Sequence, residues 1–515
     1  MGLELIKENV VVEQVVGENR FQALISHDIV VGDLKLDVEK ILSVSAYNNI
    51  IRHEIIQGKA VIEGMLNCSV LYTGDTDKLI ERIDAQIPYT QYVDIKGAEA
   101  RMTCEVSDYI ESADASISNS RKISLNVLVD LNIKVIERKS IDLIADISGL
   151  PDIQVLRKDI KINNTVGQGV SQEIVREELE LPQNKLDIDE ILKADVNVAV
   201  ENVAVTSGRV TAEGYVSLNV MYYTGESVHP LEKVAYELPF VQVTEIQGAD
   251  EGMLADVKFY IDDTSFKVTQ DADGKNRIIS AEVLLKCVAK ARMEDIRDVI
   301  ADAYSMMRAT QLSKSTYRYR ELIAKEESQV EIREVINLSE PATNIYDVNT
   351  RPVIIDYTVS DGKVISNGVL QVSAIYMTSG GDTVVTGDMQ EIPFNMAVEA
   401  PDATSDMFAD IEILGNKFTY ELKTSRQLEL KSVVNVSVAV FADRDIELVT
   451  SIEELDVPQP ERASITVYMV QKGDDLWGIA KRYRTSREDI LNANGIQEED
   501  VKPGLKLLIP KKFVQ

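Results

Sequence analysis

A block beginning at Gly58 occurs three times, and a β-pattern repeated at one long period forces a tandem array of similar units. The first copy reads GKAVIEGMLNCSVLYTG and continues to Ile87-Pro88-Tyr89. The second, GRVTAEGYVSLNVMYYTG, starts at Gly208 and continues to Leu238-Pro239-Phe240. The third, GKVISNGVLQVSAIYMTSGG, starts at Gly362 and continues to Ile392-Pro393-Phe394. Gly58 and Gly208 lie 150 residues apart and Gly208 and Gly362 lie 154 apart, while the prolines are spaced by 151 and 154. Three homologous domains follow.

The interior of each block alternates as a half-buried antiparallel strand does. One face carries Leu66, Cys68, Val70 and Tyr72, then Val216, Leu218, Val220 and Tyr222, then Leu370, Val372, Ala374 and Tyr376. The other carries Asn67 and Ser69, Ser217 and Asn219, Gln371 and Ser373, and Gly residues bound the run with turns. Each unit opens on a Val- and Ile-rich stretch (3–31, 160–182 and 328–341) that favours strand. Each closes on an alternating run bounded by arginines, Arg121 to Arg138, Arg277 to Arg292 and Arg426 to Arg444. The expected fold is multidomain and mainly β, with β-rich domains, in sandwich form, over 1–148, 149–303 and 304–455. Mixed apolar spacing over Asp298 to Leu322 leaves room for a helical turn or two.

Composition narrows the function. A net charge of −31 argues against nucleic acid and anionic lipid as partners, and it is unevenly placed. From Glu461 onward there are 10 Lys and Arg against 8 Asp and Glu, so the tail is +2 and the rest −33. Three cysteines without CxxC pairing offer neither a disulfide scaffold nor a zinc site, and Cys68 and Cys287 fall at apolar core positions. Met1 to Lys7 lacks a basic region followed by an apolar one, and no apolar run reaches membrane-spanning length. No signal peptide, no membrane insertion and a cytosolic site of synthesis are expected.

An enzyme is hard to assemble from these residues. His27, His53 and His229 have no paired or metal-ligand spacing, and no GxSxG, HExxH or P-loop occurs. Glu177-Glu178, Asp262-Asp263 and Asp271-x-Asp273-Gly274 suggest calcium, but the last lacks the remaining loop ligands, so a turn is the better reading. Tyr72, Tyr222 and Tyr376 recur at one strand position, as packing aromatics do. No catalytic residue, metal or cofactor is expected.

After residues 456–463, whose prolines and acidic residues make a stiff linker, the composition changes. Ile465 to Val470 reads as a strand, and Asp475 caps a helix whose apolar face is Leu476, Ile479, Ala480 and Tyr483. Ser486 and Asp489 start a second helix over Arg487 to Ala493, and Asn494-Gly495 stops it. Pro503-Gly504 then turns the chain into a strand over Leu505 to Ile509, giving a βααβ module within 464–511. The run YMVQKGDDLWGIAKRY, with its later NANGI and PGLKLLIP, closely resembles the LysM family. One departure is Asp475, where that family carries Thr after Gly-Asp.

The LysM resemblance implies a shallow groove that binds N-acetylglucosamine oligomers. By position it would be formed by Gly473, Asp474, Asp475, Leu476 and Trp477 on one side and Asn494, Gly495 and Ile496 on the other. A second carboxylate beside neutral sugar amides costs desolvation, which speaks against glycan. Leu476, Trp477 and Ile496, ringed by Lys472, Lys481, Arg482, Arg484 and Arg487, suit a protein interface. The alternative is an ordinary solvated face, and for Trp477 both internal packing and partial exposure stay open.

The repeated strand, the aliphatic-Pro-aromatic step and the Arg-bounded closing run resemble the SPOCS-domain family of spore-forming Clostridia. That resemblance implies a spore-coat assembly scaffold in the mother-cell cytoplasm at the forespore surface. Its expected partner is the coat morphogenetic ATPase SpoIVA, bound through the LysM module. The competing reading is a peptidoglycan-binding protein of the wall or cortex. A third is self-association of the repeats through their edge strands.

Overall fold

The computed structural model describes residues 4–74, 80–149, 152–226, 230–378, 385–455 and 464–510. The first repeat comprises β1 (Glu4–Val30), β2 (Val38–Ile56), β3 (Lys59–Gly74), β4 (Glu81–Asp94), β5 (Thr103–Asn119) and β6 (Lys122–Ser148). The second comprises β7 (Ile153–Glu180), β8 (Glu190–Thr206), β9 (Arg209–Tyr223), β10 (Leu231–Glu245), β11 (Leu254–Gln270) and β12 (Asn276–Ser305). The third comprises β13 (Ala309–Asn337), β14 (Ala342–Ser360), β15 (Lys363–Thr378), β16 (Val385–Glu399), β17 (Phe408–Thr424) and β18 (Gln427–Leu455). The C-terminal module follows as β19 (Ile465–Met469), α1 (Leu476–Tyr483), α2 (Arg487–Asn494), a 3₁₀ turn at Glu498–Asp500 and β20 (Lys506–Pro510). The expected linker at 456–463 lies outside the described residues. The helical turn expected within Asp298 to Leu322 is absent. That stretch is the end of β12, a turn and the start of β13, because cross-strand pairing overrides its mixed local pattern.

Each repeat is two three-stranded antiparallel sheets around one core, ordered β1-β6-β5 and β2-β3-β4 in the first and likewise in the others. The expected sandwich is therefore what forms. Leu66, Cys68, Val70 and Tyr72 of β3 meet Leu125, Val127, Val129 and Leu131 of β6 in that core. Tyr72, Tyr222 and Tyr376 are fully buried, and each also tethers the loop after the opening strand. Tyr72 and Tyr222 donate to the carbonyls of Leu36 (3.3 Å) and Leu186 (3.0 Å), and Tyr376 bonds Ser339 and Asp388. The repeated arginines serve the same loop. Arg121 donates to Lys35 O (2.6 Å), Arg277 to Lys185 O (2.8 Å) and Arg426 to Ser339 O (2.7 Å).

The two sequence motifs of the repeat are cross-strand partners. Gly64 lies opposite Tyr89, Gly214 opposite Phe240 and Gly368 opposite Phe394. A Cβ at Gly64 would fall 2.3 Å from the Tyr89 ring, and one at Gly368 would fall 2.5 Å from Phe394. The ring lies over the bare backbone and restores the packing that glycine forgoes. In the second repeat Phe240 turns to Phe259 (5.0 Å between centroids), and a Cβ at Gly214 would meet the Ala199 carbonyl at 2.0 Å.

Alternation on the central strand does not hold to its end. Leu71, Met221 and Ile375 sit on the face read as wet, yet they are buried. They join Leu42, Leu192 and Tyr346, with Ile80, Leu231 and Val385, in a cluster drawing the same three positions from every repeat. The repeats thus gather around a quasi-threefold centre. At the other end the ribbons β1/β6, β7/β12 and β13/β18 run on as a stalk in which every pair of ribbons touches. Val10, Ile141, Ile160, Val299 and Leu448 fill its axis, followed by Ile144, Ile147, Ile300, Ala303, Val449 and Ile452. Register shifts at Val16, Val166 and Ile323, and again at Ala145, Ala301 and Thr450, fall at matching places in the three ribbons. Bulges twist the strands locally, which lets three long ribbons coil together.

Ion pairs fix which repeat meets which. Lys193 of the second repeat is buried and bonds Asp347 of the third (2.9 Å), which also receives Lys233. The corresponding positions are Ser43, Lys193 and Asp347, so the pair exists at one of three otherwise similar contacts. Burial would push the Asp347 carboxyl up, but Lys193 and Lys233 hold it below its usual value. Its contribution is therefore present above the unfolded carboxylate pKa of about 3.9 and lost as pH falls through the depressed folded value.

Two outcomes follow. Gly214→Val lowers the melting temperature of the protein by several degrees, whereas Gly415→Ala, with nothing within 4 Å, leaves it within about 0.5 kcal/mol of the parent. Equal melting curves for the two variants would contradict the close approach at Gly214. Asp347→Ala removes the acceptor shared by Lys193 and Lys233, leaves Lys193 with Asp195 alone (2.7 Å), and costs about 1–3 kcal/mol in denaturant titrations.

Candidate functional site

The C-terminal module is built as its sequence dictates. Asp475 Oδ1 accepts from Gly478 N (2.7 Å), capping α1, and Ser486 Oγ accepts from Asp489 N (3.0 Å), capping α2. Gly495 ends α2 in the left-handed conformation at φ 62°. Val470, Leu476, Ile479, Ala480, Ile490, Leu507 and Ile509 form the core. Short, strongly capped helices suit a module of this size, where packing alone leaves termini frayed.

The residues proposed for the groove divide by role. Leu476 is core, with Ile496 half-buried against it. Asp474 accepts from the Tyr468 hydroxyl (2.6 Å) and Gln471 N (2.8 Å). Those bonds and nearby Arg482 hold its carboxyl below the ordinary range. Asn494 donates to Leu508 O (2.7 Å) and accepts from Leu508 N (2.8 Å), fastening α2 to β20. Gly473, Asp475 and Gly495 are exposed. The polar side chains of both loops are thus engaged within the module.

Trp477 faces elsewhere. It is buried on the end of the second repeat, its ring edge-on to Tyr304 at 5.0 Å, and its Nε1–H donates to Asp302 Oδ2 (2.8 Å). Lys481, one turn along α1, donates to both Asp302 oxygens (2.7 and 2.8 Å), while the Tyr304 hydroxyl donates to Thr485 O (2.6 Å). The patch of Leu476, Trp477 and Ile496 expected from sequence is therefore not one exposed surface. Arg487 lies 5.6 Å from the Trp477 ring, and Arg482 lies over Tyr468.

The stalk makes this seat at one repeat. Asp302 follows the bulge at Ala301, and its counterparts are Asp146 and Ser451, while Tyr304 corresponds to Ser148 and Glu453. Asp146 is taken by Arg157 (3.0 Å). Aromatic and acid thus coincide at the second repeat. Tyr304, the penultimate residue of β12, is where sequence reasoning set a domain edge, and a tyrosine where the sister repeats have Ser and Glu was the available signal. Burial pushes the Asp302 carboxyl up, but hydrogen bonds from Lys481 and Trp477 and the charges of Lys481 and Lys314 hold it below its usual value.

The remaining candidates are structural or lie apart. Asp271 Oδ1 accepts from Asp273 N and Lys275 N (2.9 Å each), so that acidic run is a hairpin turn. His27 and His53 are exposed on separate strands, and His229 lies outside the described residues. Cys68 and Cys287 are buried core residues, and burial pushes the Cys68 thiol up to about 12. No helix among the described residues is long and apolar enough to cross a membrane.

Comparison with known families bears on the whole array. A profile described as "SipL, SPOCS domain" matches residues 37–118, 187–269 and 341–423, and the LysM domain profile matches 468–510. The first covers β2–β5 and its counterparts and leaves the long stalk strands outside. Both domain types are binding or scaffold domains rather than catalytic ones. Neither curated proteins nor solved structures give a match.

Asp302→Ala removes the acceptor shared by Trp477 and Lys481 and weakens docking of the module by about 1–3 kcal/mol. Trp477, the single tryptophan, reports it: emission shifts to the red and acrylamide quenching rises. In the parent the same change appears as pH falls through the depressed folded value of the Asp302 carboxyl, where its contribution is lost. A spectrum unchanged in both experiments would contradict the docked arrangement.

Proposed function

As a SipL-like chain of three SPOCS domains and a C-terminal LysM domain, this protein is, we propose, a non-enzymatic scaffold of spore-coat assembly whose LysM domain docks on the coat ATPase SpoIVA. The domain set fits a coat-associated sporulation protein. The finer reading places the protein at the forespore surface, in the mother-cell cytoplasm, where it helps hold the coat around the forespore.

The observation that carries the protein-binding reading is the use already made of the groove side chains. Asp474, Asp475 and Asn494 spend their hydrogen bonds on Tyr468, Gln471, Gly478 and Leu508. A glycan needs free, converging donors and acceptors, and these loops offer carboxylates that would be desolvated beside neutral sugar. A protein partner needs a fixed surface, and seating α1 on Asp302 and Tyr304 supplies one at the end of a long stalk. The second reading, binding of N-acetylglucosamine polymers, has the LysM match in its favour.

Calorimetry separates the two. Titration of the full chain with SpoIVA gives saturable binding that Ile496→Glu weakens at least about tenfold, the range of an interface anchor, with the circular dichroism unchanged. Titration with N-acetylglucosamine oligomers gives no heat. Saturable glycan binding without a response to SpoIVA reverses the assignment.

A further inference from the structure

A cleft of about 670 Å³ opens where the end of the stalk meets α1, with none of the groove residues in its lining. Its volume lies in the range of sites that take a small ligand or a few side chains. Arg308 and Lys314 enter it from the turn before β13 and from β13, Lys481 and Arg484 enter from α1 and its C-cap, and Leu312 and Leu455 form an apolar lip. Four cations meeting at one place are notable in a chain of net charge −31.

The cations are only partly neutralised. Arg308 holds Glu454 through two bonds (2.7 and 2.8 Å), and Lys481 and Lys314 share Asp302 at 2.7 and 3.4 Å. Arg484 has no ion pair among the described residues. Four positive groups share two ion-paired carboxylates, Glu454 and Asp302, while the buried Asp152 behind Ser305 is engaged by the Ser305 hydroxyl and the Met307 amide. Arg484 Nη1 is buried without a hydrogen-bond partner, an unmet donor that folding ordinarily avoids. Its backbone adds a second, independent observation. Arg484 closes α1 at φ 49°, ψ 53°, a left-handed position that glycine or asparagine fills at lower cost. Arg484 thus brings to the cleft wall a cation with no ion pair among the described residues and one donor unmet within the protein.

The geometry points to this cleft as a binding site for the carboxylates of an acidic peptide segment of a partner protein. Arg484 presents its planar donors to a carboxylate, Lys314 and Lys481 supply flanking charge, and Leu312 and Leu455 receive an apolar side chain beside the acid. A nucleotide fits less well, because the Tyr304 ring is committed to Trp477 and offers no face for a base. The site does not depend on what the groove loops bind.

The test uses the full-length chain and calorimetry, with a synthetic peptide of alternating leucine and glutamate and its glutamine counterpart. The glutamate peptide binds saturably and the glutamine peptide does not. Arg484→Gln weakens binding at least tenfold, Arg484→Lys recovers part of it, and raising the salt toward ~1 M, where charges are screened within about 3 Å, abolishes it. Lys314→Gln, on the stalk and outside the LysM fold, weakens binding as well, so the outcome stands even if Arg484→Gln disturbs the module. Absence of binding, equal affinity in the Lys314→Gln variant, or full displacement by millimolar inorganic phosphate would overturn the acidic-peptide assignment.

Discussion

A sheet strand with apolar groups on both faces cannot be satisfied by one sandwich, and that constraint organises the molecule. β3, β9 and β15 bury one face in their own repeat and carry Leu71, Met221 and Ile375 on the other. Only another repeat can cover them. Each fully buried side chain of this kind contributes about 1.5–3 kcal/mol, and nine equivalent positions from three repeats converge in the same cluster. The three units therefore close on one another rather than trail as separate beads. The stalk follows from the same closure, since ribbons leaving three such units side by side have their apolar residues facing a common axis.

Near symmetry creates a problem of identity that apolar packing does not solve. Three similar surfaces can pair in wrong orders, and polar contacts that differ separate them: the Tyr223 hydroxyl bonds the Ile80 carbonyl (2.9 Å) between the first and second repeats, and a buried ion pair joins the second and third. Lys193 and Asp347 occupy a position where the first repeat has Ser43, so opposite charges meet between the second and third repeats. A buried pair of this sort adds little net stability but penalises any arrangement that separates the charges. The LysM seat obeys the same rule. Asp302 and Tyr304 occur together in the second repeat, so the module has one place on the stalk where tryptophan, lysine and backbone are all satisfied.

Seating the module changes what its residues can do. Trp477, beside the groove in sequence, is spent on the stalk, and Leu476 on the core. The groove loops keep their exposed glycines and Ile496 but have committed their polar groups internally. In the proposed recognition through these loops, shape and apolar contact count for more than hydrogen-bond readout. The basic cleft between the stalk and α1 brings together charge and an unmet donor.

The amino-acid sequence by itself determined the three repeats, the opening, central and closing strands of each, the sandwich core and both helices of the module, because these rest on local signals. Period-two alternation around Leu66 to Tyr72, glycine turns at Gly58, Gly208 and Gly362, and the caps Asp475 and Ser486 act within a few residues. Side-chain identity alone also marked Cys68 and the repeated tyrosines as core. Only the tertiary structure decided the rest. That Gly64 lies under Tyr89, that Leu71 is covered, that the stretch with room for a helical turn is instead the end of β12 and the start of β13, and that Trp477 leaves the groove for Asp302 are consequences of pairing between residues far apart in the chain. Period and propensity report what a residue prefers; which neighbour covers it depends on the closure of three repeats around one axis.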